Sequence, residues 1–211
     1  GNWLKRQPRD KYVVATKVRF RMGDGPNEIG LGRKHIRAAV VASLTRLNTD
    51  YLDLYQTHCW DPITPLEETL SALNDLVREG LVRYIGASNH SGYQLQKAIE
   101  TSRRHGWEPY TCLQQQFSLL CRSTEWELLP LALDQQVGTI VWSPLSGGRL
   151  AGRMRRDQTL PPDSRIGVGA AGGAPVDEER GYRVVEVLDG LAAETGKAGA
   201  PVALKWHLPR P

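Results

Sequence analysis

Cysteine is scarce: the 211 residues carry three, Cys59, Cys112 and Cys121, with no CxxC spacing among them. An odd, unclustered set argues against a disulfide framework and a thiolate zinc centre, and fits reduced thiols in a cytoplasmic protein. Long apolar runs are missing too. No stretch approaches the roughly 20 residues that cross a bilayer, and the polar start GNWLKRQPRDK does not read as a secretory signal. A soluble, cytoplasmic protein without membrane insertion is the expectation. Also lacking is a basic face with interleaved aromatics. The net charge is +4, but the densest basic cluster is one segment, Arg149, Arg153, Arg155, Arg156 and Arg165. A phosphate-bearing small molecule or plain solvated charge is therefore favoured over nucleic acid. No repeat or linker divides the chain, so 1–211 is expected to be a single domain with a sizeable core.

What is present is alternation. Strand-like YVVATKV (Tyr12–Val18) precedes a helical pattern over Arg33–Leu47, with apolar residues at Ile36, Val40, Val41, Leu44 and Leu47. Strand Leu52–Gln56, helix Leu66–Glu79 stopped by Gly80, and strand Val82–Gly86 follow. Helix Tyr93–His105, strand Thr111–Gln115, helix Glu125–Gln136 and strand Thr139–Trp142 complete five βα units. Residues 149–178 read as a long polar loop, and Val184–Thr195 and Pro201–His207 as helices. Five equal units with short links predict a parallel α/β sheet, and suit a barrel better than an open doubly wound sheet.

Each strand ends in a group that can do chemistry: Lys17, His58, Ser88-Asn89, Gln114 and Trp142-Ser143. In a parallel barrel those ends share one mouth. Lys17 is either a snorkelling surface lysine or an ammonium that lowers the pKa of a neighbouring acid. His58 is either a satisfied core histidine or a donor that orients a carbonyl oxygen. Ser88, Asn89 and Gln114 suit an amide on a ligand, although Ser88 or Asn89 could equally cap the next helix. Trp142 can stack on a flat ring or fill the barrel end. The turn at Ser146-Gly147-Gly148 lets backbone N–H groups approach a phosphate, with Arg153 and Arg165 adding charge. The sum suggests a nicotinamide dinucleotide pocket, without the GxGxxG of a Rossmann fold. Trp60, Phe117 and Trp126 are candidates for an apolar substrate wall or for plain packing.

The stretches VVATKV, GLGRKHIRAAVVASLTRLNTDYLDLYQTHCWDP, TPLEETLSALNDLVREGLVRYIGASN, IVWSPLSGGRLAGR and PPDSR resemble the aldo-keto reductase superfamily. The likeness is greatest to the branch that contains the potassium-channel β subunits and their bacterial and animal relatives. The resemblance implies a (β/α)8 TIM barrel that binds NADPH along its C-terminal rim and reduces a small-molecule aldehyde or ketone by hydride transfer. It further implies that Lys17 partners the catalytic acid and that His58 orients the substrate. By the same likeness Ser88, Asn89 and Gln114 hold the nicotinamide carboxamide, and Trp142 stacks on the nicotinamide ring. Ser143, Leu145 and Gly147 lie at the pyrophosphate loop, with Arg153 and Arg165 as basic cofactor contacts.

The chain departs from the pattern at both ends. Nothing resembles the family's FDTAxxYG segment, which carries the proton-donating tyrosine and its aspartate, and none of the seven tyrosines stands in a comparable context. The start resembles the end of the helix after that segment, and ALKWHLPRP resembles the helix before the last strand. Strands three to seven are thus expected, with one, two and eight missing, and the exposed edges favour self-association into a homo-oligomer. The alternative to an enzyme is a non-catalytic NADP(H)-sensing or scaffolding subunit like the channel β subunits. His58 favours the enzyme, because channel-type relatives commonly carry asparagine there, whereas the missing acid pulls the other way.

Overall fold

The computed structural model describes residues 1–152, 155–156, 162–169 and 175–208. Among them the chain forms β1 (Ala15–Val18), α1 (Arg33–Leu47), β2 (Leu52–Thr57), α2 (Leu66–Arg78), β3 (Val82–Ser88) and α3 (Gly92–His105). These are followed by β4 (Cys112–Gln116), α4 (Leu128–Asp134), β5 (Gly138–Trp142), α5 (Glu178–Thr195) and α6 (Gly199–Lys205). The strands lie in chain order, β1-β2-β3-β4-β5, and β1 through β4 pair in parallel. Consecutive parallel strands with helical crossovers are the order of a (β/α)8 barrel, five of whose strands are represented.

The chain divides into two compact units, residues 1–114 with 134–140, and residues 115–133 with 141–211. In the first, α2 places Leu70, Leu73 and Leu76 at helical spacing, all fully buried, and Leu52, Ile85 and Leu113 come from the strands. In the second, Leu150, Val185, Leu188 and Ala203 join Leu120 in one core cluster.

One row of the sheet explains a glycine. Lys17 registers with Gln56, Gln56 with Gly86, and Gly86 with Cys112. A Cβ on Gly86 would sit 2.5 Å from Cys112 Sγ and 3.3 Å from Gln56 Cγ. The side chains of β2 and β4 close over β3 because residue 86 has none.

Element edges differ from the pattern reading where side chains intercept the backbone. β1 starts at Ala15 rather than Tyr12, because the Val14 N–H donates to the Asp53 carboxylate (2.8 Å) instead of a strand carbonyl. α4 starts at Leu128 rather than Glu125. Pro130 lacks an N–H and is tolerated only in a first turn, so residues 123–125 form a separate short turn. Neither Ser88 nor Asn89 caps α3. Ser91 does, in a capping box with Gln94, and Ser91→Ala is expected to lower the urea midpoint by an amount equivalent to about 1 kcal/mol.

Candidate functional site

In the first unit, the strand ends bring two of the expected groups to one cavity. Lys17 is the third residue of β1, and His58 follows β2 directly, its N–H donating to Val18 O (2.9 Å). Both line a cavity of about 180 Å³ with Arg19, Phe20, His35 and Arg46. No tyrosine or carboxylate lines it among the described residues, and Lys17 has no carboxylate partner among them either. Burial pulls the Lys17 ammonium below its ordinary pKa, while the nearby Cys112 thiol acts the other way. Burial likewise lowers His58, and the Lys17 charge lowers it further. The imidazole packs against Phe20, ring centroids 4.5 Å apart. A neutral imidazole beside an ammonium can donate a hydrogen bond to a carbonyl oxygen and stabilise negative charge that develops there.

A second histidine adds to the pH dependence. His90 is buried and its Nδ1–H donates to Ser88 O (2.9 Å). Burial lowers its pKa, against a smaller upward effect of that bond. For both histidines the unfolded chain takes up protons first as pH falls below about 6.5, so stability rises with pH through that window. Urea midpoints taken from pH 7.5 downward should fall below about pH 6.5, and His90→Gln should flatten the fall.

Ser88, Asn89 and Gln114 are backbone neighbours across β3 and β4, and Asn89 has structural work there. Ser88 ends β3 and registers with Gln114 in β4. Asn89, at φ 53°, donates through Nδ2 to His58 O and Ser88 Oγ, both at 3.0 Å, and through its N–H to Gln114 O at 3.1 Å. It therefore ties the ends of β2 and β3 to the middle of β4. Ser88 accepts here, so its own hydroxyl proton remains to donate to a ligand.

In the second unit, Trp142 ends β5 and Ser143 follows at φ 58°. Ser143, Leu145 and Gly147 line a cavity of about 450 Å³ together with Arg165. Positive φ recurs at Ser146, Gly147 and Gly148, and a Cβ on Gly148 would meet no atom within 4 Å. Among the described residues Arg165 is the only charged one on the wall, and no carboxylate lines it. Glycine backbone N–H groups and a guanidinium are groups that can hold an anion. Arg153 lies outside the described residues. Two other arginines of that cluster bind α5: Arg155 pairs with Asp189, and Arg156 with Glu179 and Glu186.

Of the aromatic candidates, Phe117 is buried against Trp206 and His207 and is a packing residue. Trp126 is 84% exposed. Trp60 contacts His90 and Tyr93. Sequence reasoning missed Phe20 beside His58 and the carboxylate of Asp61. The latter stands three residues past His58, next to Pro62, with no pattern that marks it. Among the described residues no cluster of His, Cys, Asp and Glu suits a metal ion, and no helix is long and apolar enough to cross a membrane.

A parallel α/β sheet in chain order, with a lysine and a histidine at the ends of adjacent strands, is the arrangement of a partial (β/α)8 barrel. The family model described as aldo/keto reductase family matches residues 1–211, and the chain belongs to that family. It is 34% identical to versiconal hemiacetal acetate reductase of Aspergillus parasiticus, over 100% of this chain and 66% of that protein. It is 38% identical to the uncharacterized oxidoreductase YrpG of Bacillus subtilis, over 100% of this chain and 64% of that one. A protein named "Probable voltage-gated potassium channel subunit beta" in Arabidopsis thaliana is 35% identical, over 96% of this chain and 62% of its own length. The chain thus spans less than two thirds of the length of these relatives.

Proposed function

We propose that the protein catalyses NADPH-dependent reduction of an aldehyde or ketone to the alcohol. The observation that carries this reading is the cavity shared by Lys17 and His58 at the ends of adjacent parallel strands. Family membership and the reductase and oxidoreductase names of relatives support it. Bound, the nicotinamide dinucleotide supplies the hydride. Ser88, Asn89 and Gln114 are assigned to its carboxamide, Trp142 to its ring, Ser143, Leu145 and Gly147 to the pyrophosphate, and Arg153 and Arg165 to its outlying phosphate charge.

His58, neutral at working pH, donates to the substrate carbonyl oxygen and fixes its direction. Lys17 stabilises the oxygen as it gains negative charge, and lowers the pKa of any acid brought beside it. Because the described cavity wall holds no tyrosine or carboxylate, turnover by these residues alone is expected to be slow. A missing general acid costs roughly 10²–10⁴ in rate. The similarity to a channel β subunit, together with that acid-free wall, favours a second reading as a nucleotide-sensing subunit.

Titration with NADPH, followed by nucleotide fluorescence, tests the part both readings share. Saturable binding that Arg165→Ala weakens is the expected result, and no saturable binding defeats both. Turnover of a reactive aromatic aldehyde then separates the enzyme from the sensor.

A further inference from the structure

We propose that Asp61 is a positioning residue for His58, closing the 19–31 loop so that Phe20 stays packed against the imidazole. The proposal rests on reading His58 as the group that orients the carbonyl. Asp61 is buried, 7% exposed, and spends its carboxylate on two loops. Oδ2 accepts from the Leu31 N–H (2.7 Å) and from Thr64 Oγ1 (2.8 Å), and Oδ1 accepts from the Ile63 N–H (3.1 Å). Thr64 and Ile63 belong to the loop that leaves His58, while Leu31 closes the loop that begins at Arg19.

The neck of the 19–31 loop is shut by the Gly30 N–H donating to Arg19 O (2.8 Å). Thr69 Oγ1 holds the other side of Leu31 through its carbonyl (3.0 Å). Gly30 sits at φ 91°, and a Cβ there would lie 2.9 Å from Asp61 Oδ2. The glycine is what lets the loop seat on the carboxylate. Phe20, half exposed, is carried by this loop to the face of His58. Burial alone pushes the Asp61 carboxyl up, but the bonds from Thr64, Leu31 and Ile63 and the Arg19 charge outweigh it and keep the group ionised.

His58 reports on the device directly. The charged or titratable groups around it are Lys17 and Arg19 from the β1 side and His35 and Arg46 from α1. Neutral Asn89 faces it from β3, and Asp61 lies on its own loop. Opening the 19–31 loop admits water to the imidazole and relieves its desolvation, leaving the Lys17 charge in place.

The test is NMR titration of the histidine rings in Asp61→Asn, with His58 assigned by the signal lost in His58→Asn. The expected result is a His58 titration moved up towards the ordinary histidine value and weaker Phe20–His58 cross-peaks, with His90 unmoved. Aldehyde turnover falls by about 10- to 100-fold, with KM for NADPH unchanged. Gly30→Ala, which keeps the carboxylate but crowds the loop off it, gives the same His58 shift, and it decides the matter where Asp61→Asn does not fold. Unchanged His58 titration and cross-peaks in the folded variant overturn the proposal. A wild-type chain without aldehyde turnover defeats the reductase reading instead, and the NMR result still judges the positioning role.

Discussion

On the proposed function, Lys17→Met is expected to lower kcat/KM for aldehyde reduction by about 10²–10³ while leaving NADPH affinity near wild type. Methionine keeps the length and packing of the side chain and removes only the charge. That ammonium is partly buried, its pKa is pulled down by burial, and no carboxylate pairs with it among the described residues. Such a charge is costly in the resting protein and most useful when an oxygen beside it turns anionic. The variant should therefore be no less stable than wild type, and a fall in rate without a fall in urea midpoint separates chemistry from packing. A second signature follows from the neighbour. Lys17 contributes to the lowering of His58, so its removal shifts the His58 titration upward and the acid limb of the rate profile with it. Steady-state rates from pH 5.5 to 8.5 check both; equal rates in the two proteins refute the role.

Gly86→Ala is expected to cost about 1–3 kcal/mol of stability for a single methyl group. The new Cβ meets Cys112 Sγ at 2.5 Å and Cys112 O at 3.1 Å, and the second of these is backbone that cannot swing aside. Cys112 is itself buried, which pushes its thiol up to about 11 and leaves it a plain packing group. Combining Gly86→Ala with Cys112→Ala removes the sulfur but not the carbonyl, so the double variant should recover part of the loss. A coupling of about 1 kcal/mol or more in a double-mutant cycle of urea midpoints is the expected result. Strictly additive losses point to strain elsewhere.

The elements with strong periodicity were legible in the sequence. The bounds read for α1, Arg33 and Leu47, are those of the structure, although Val41 of its apolar set is exposed and His35 and Ser43 are buried. The five strands showed as short apolar runs, and their polar endings marked the rim. What the sequence hid were contacts between segments far apart in it. That Asp53 would take the Val14 N–H, or Asp61 the Leu31 N–H, depends on groups 39 and 30 positions apart in the chain. Asn89 read as an amide for a ligand because that is the usual work of a polar strand end. Its clamp across β2, β3 and β4 appears only once those strands are aligned. Phe20 lies in a polar, glycine-rich loop with no pattern to mark it, and only its position beside His58 gives it a role.

The measurement that bears most directly on the central claim is label transfer. The chain would be incubated with a reactive aromatic aldehyde and NADPH carrying deuterium at both C4 positions of the nicotinamide, and the alcohol analysed by mass spectrometry. Direct hydride transfer predicts one deuterium on the carbinol carbon, formed in proportion to protein and diminished in Lys17→Met. Alcohol without deuterium, or none above the protein-free control, contradicts the reductase assignment.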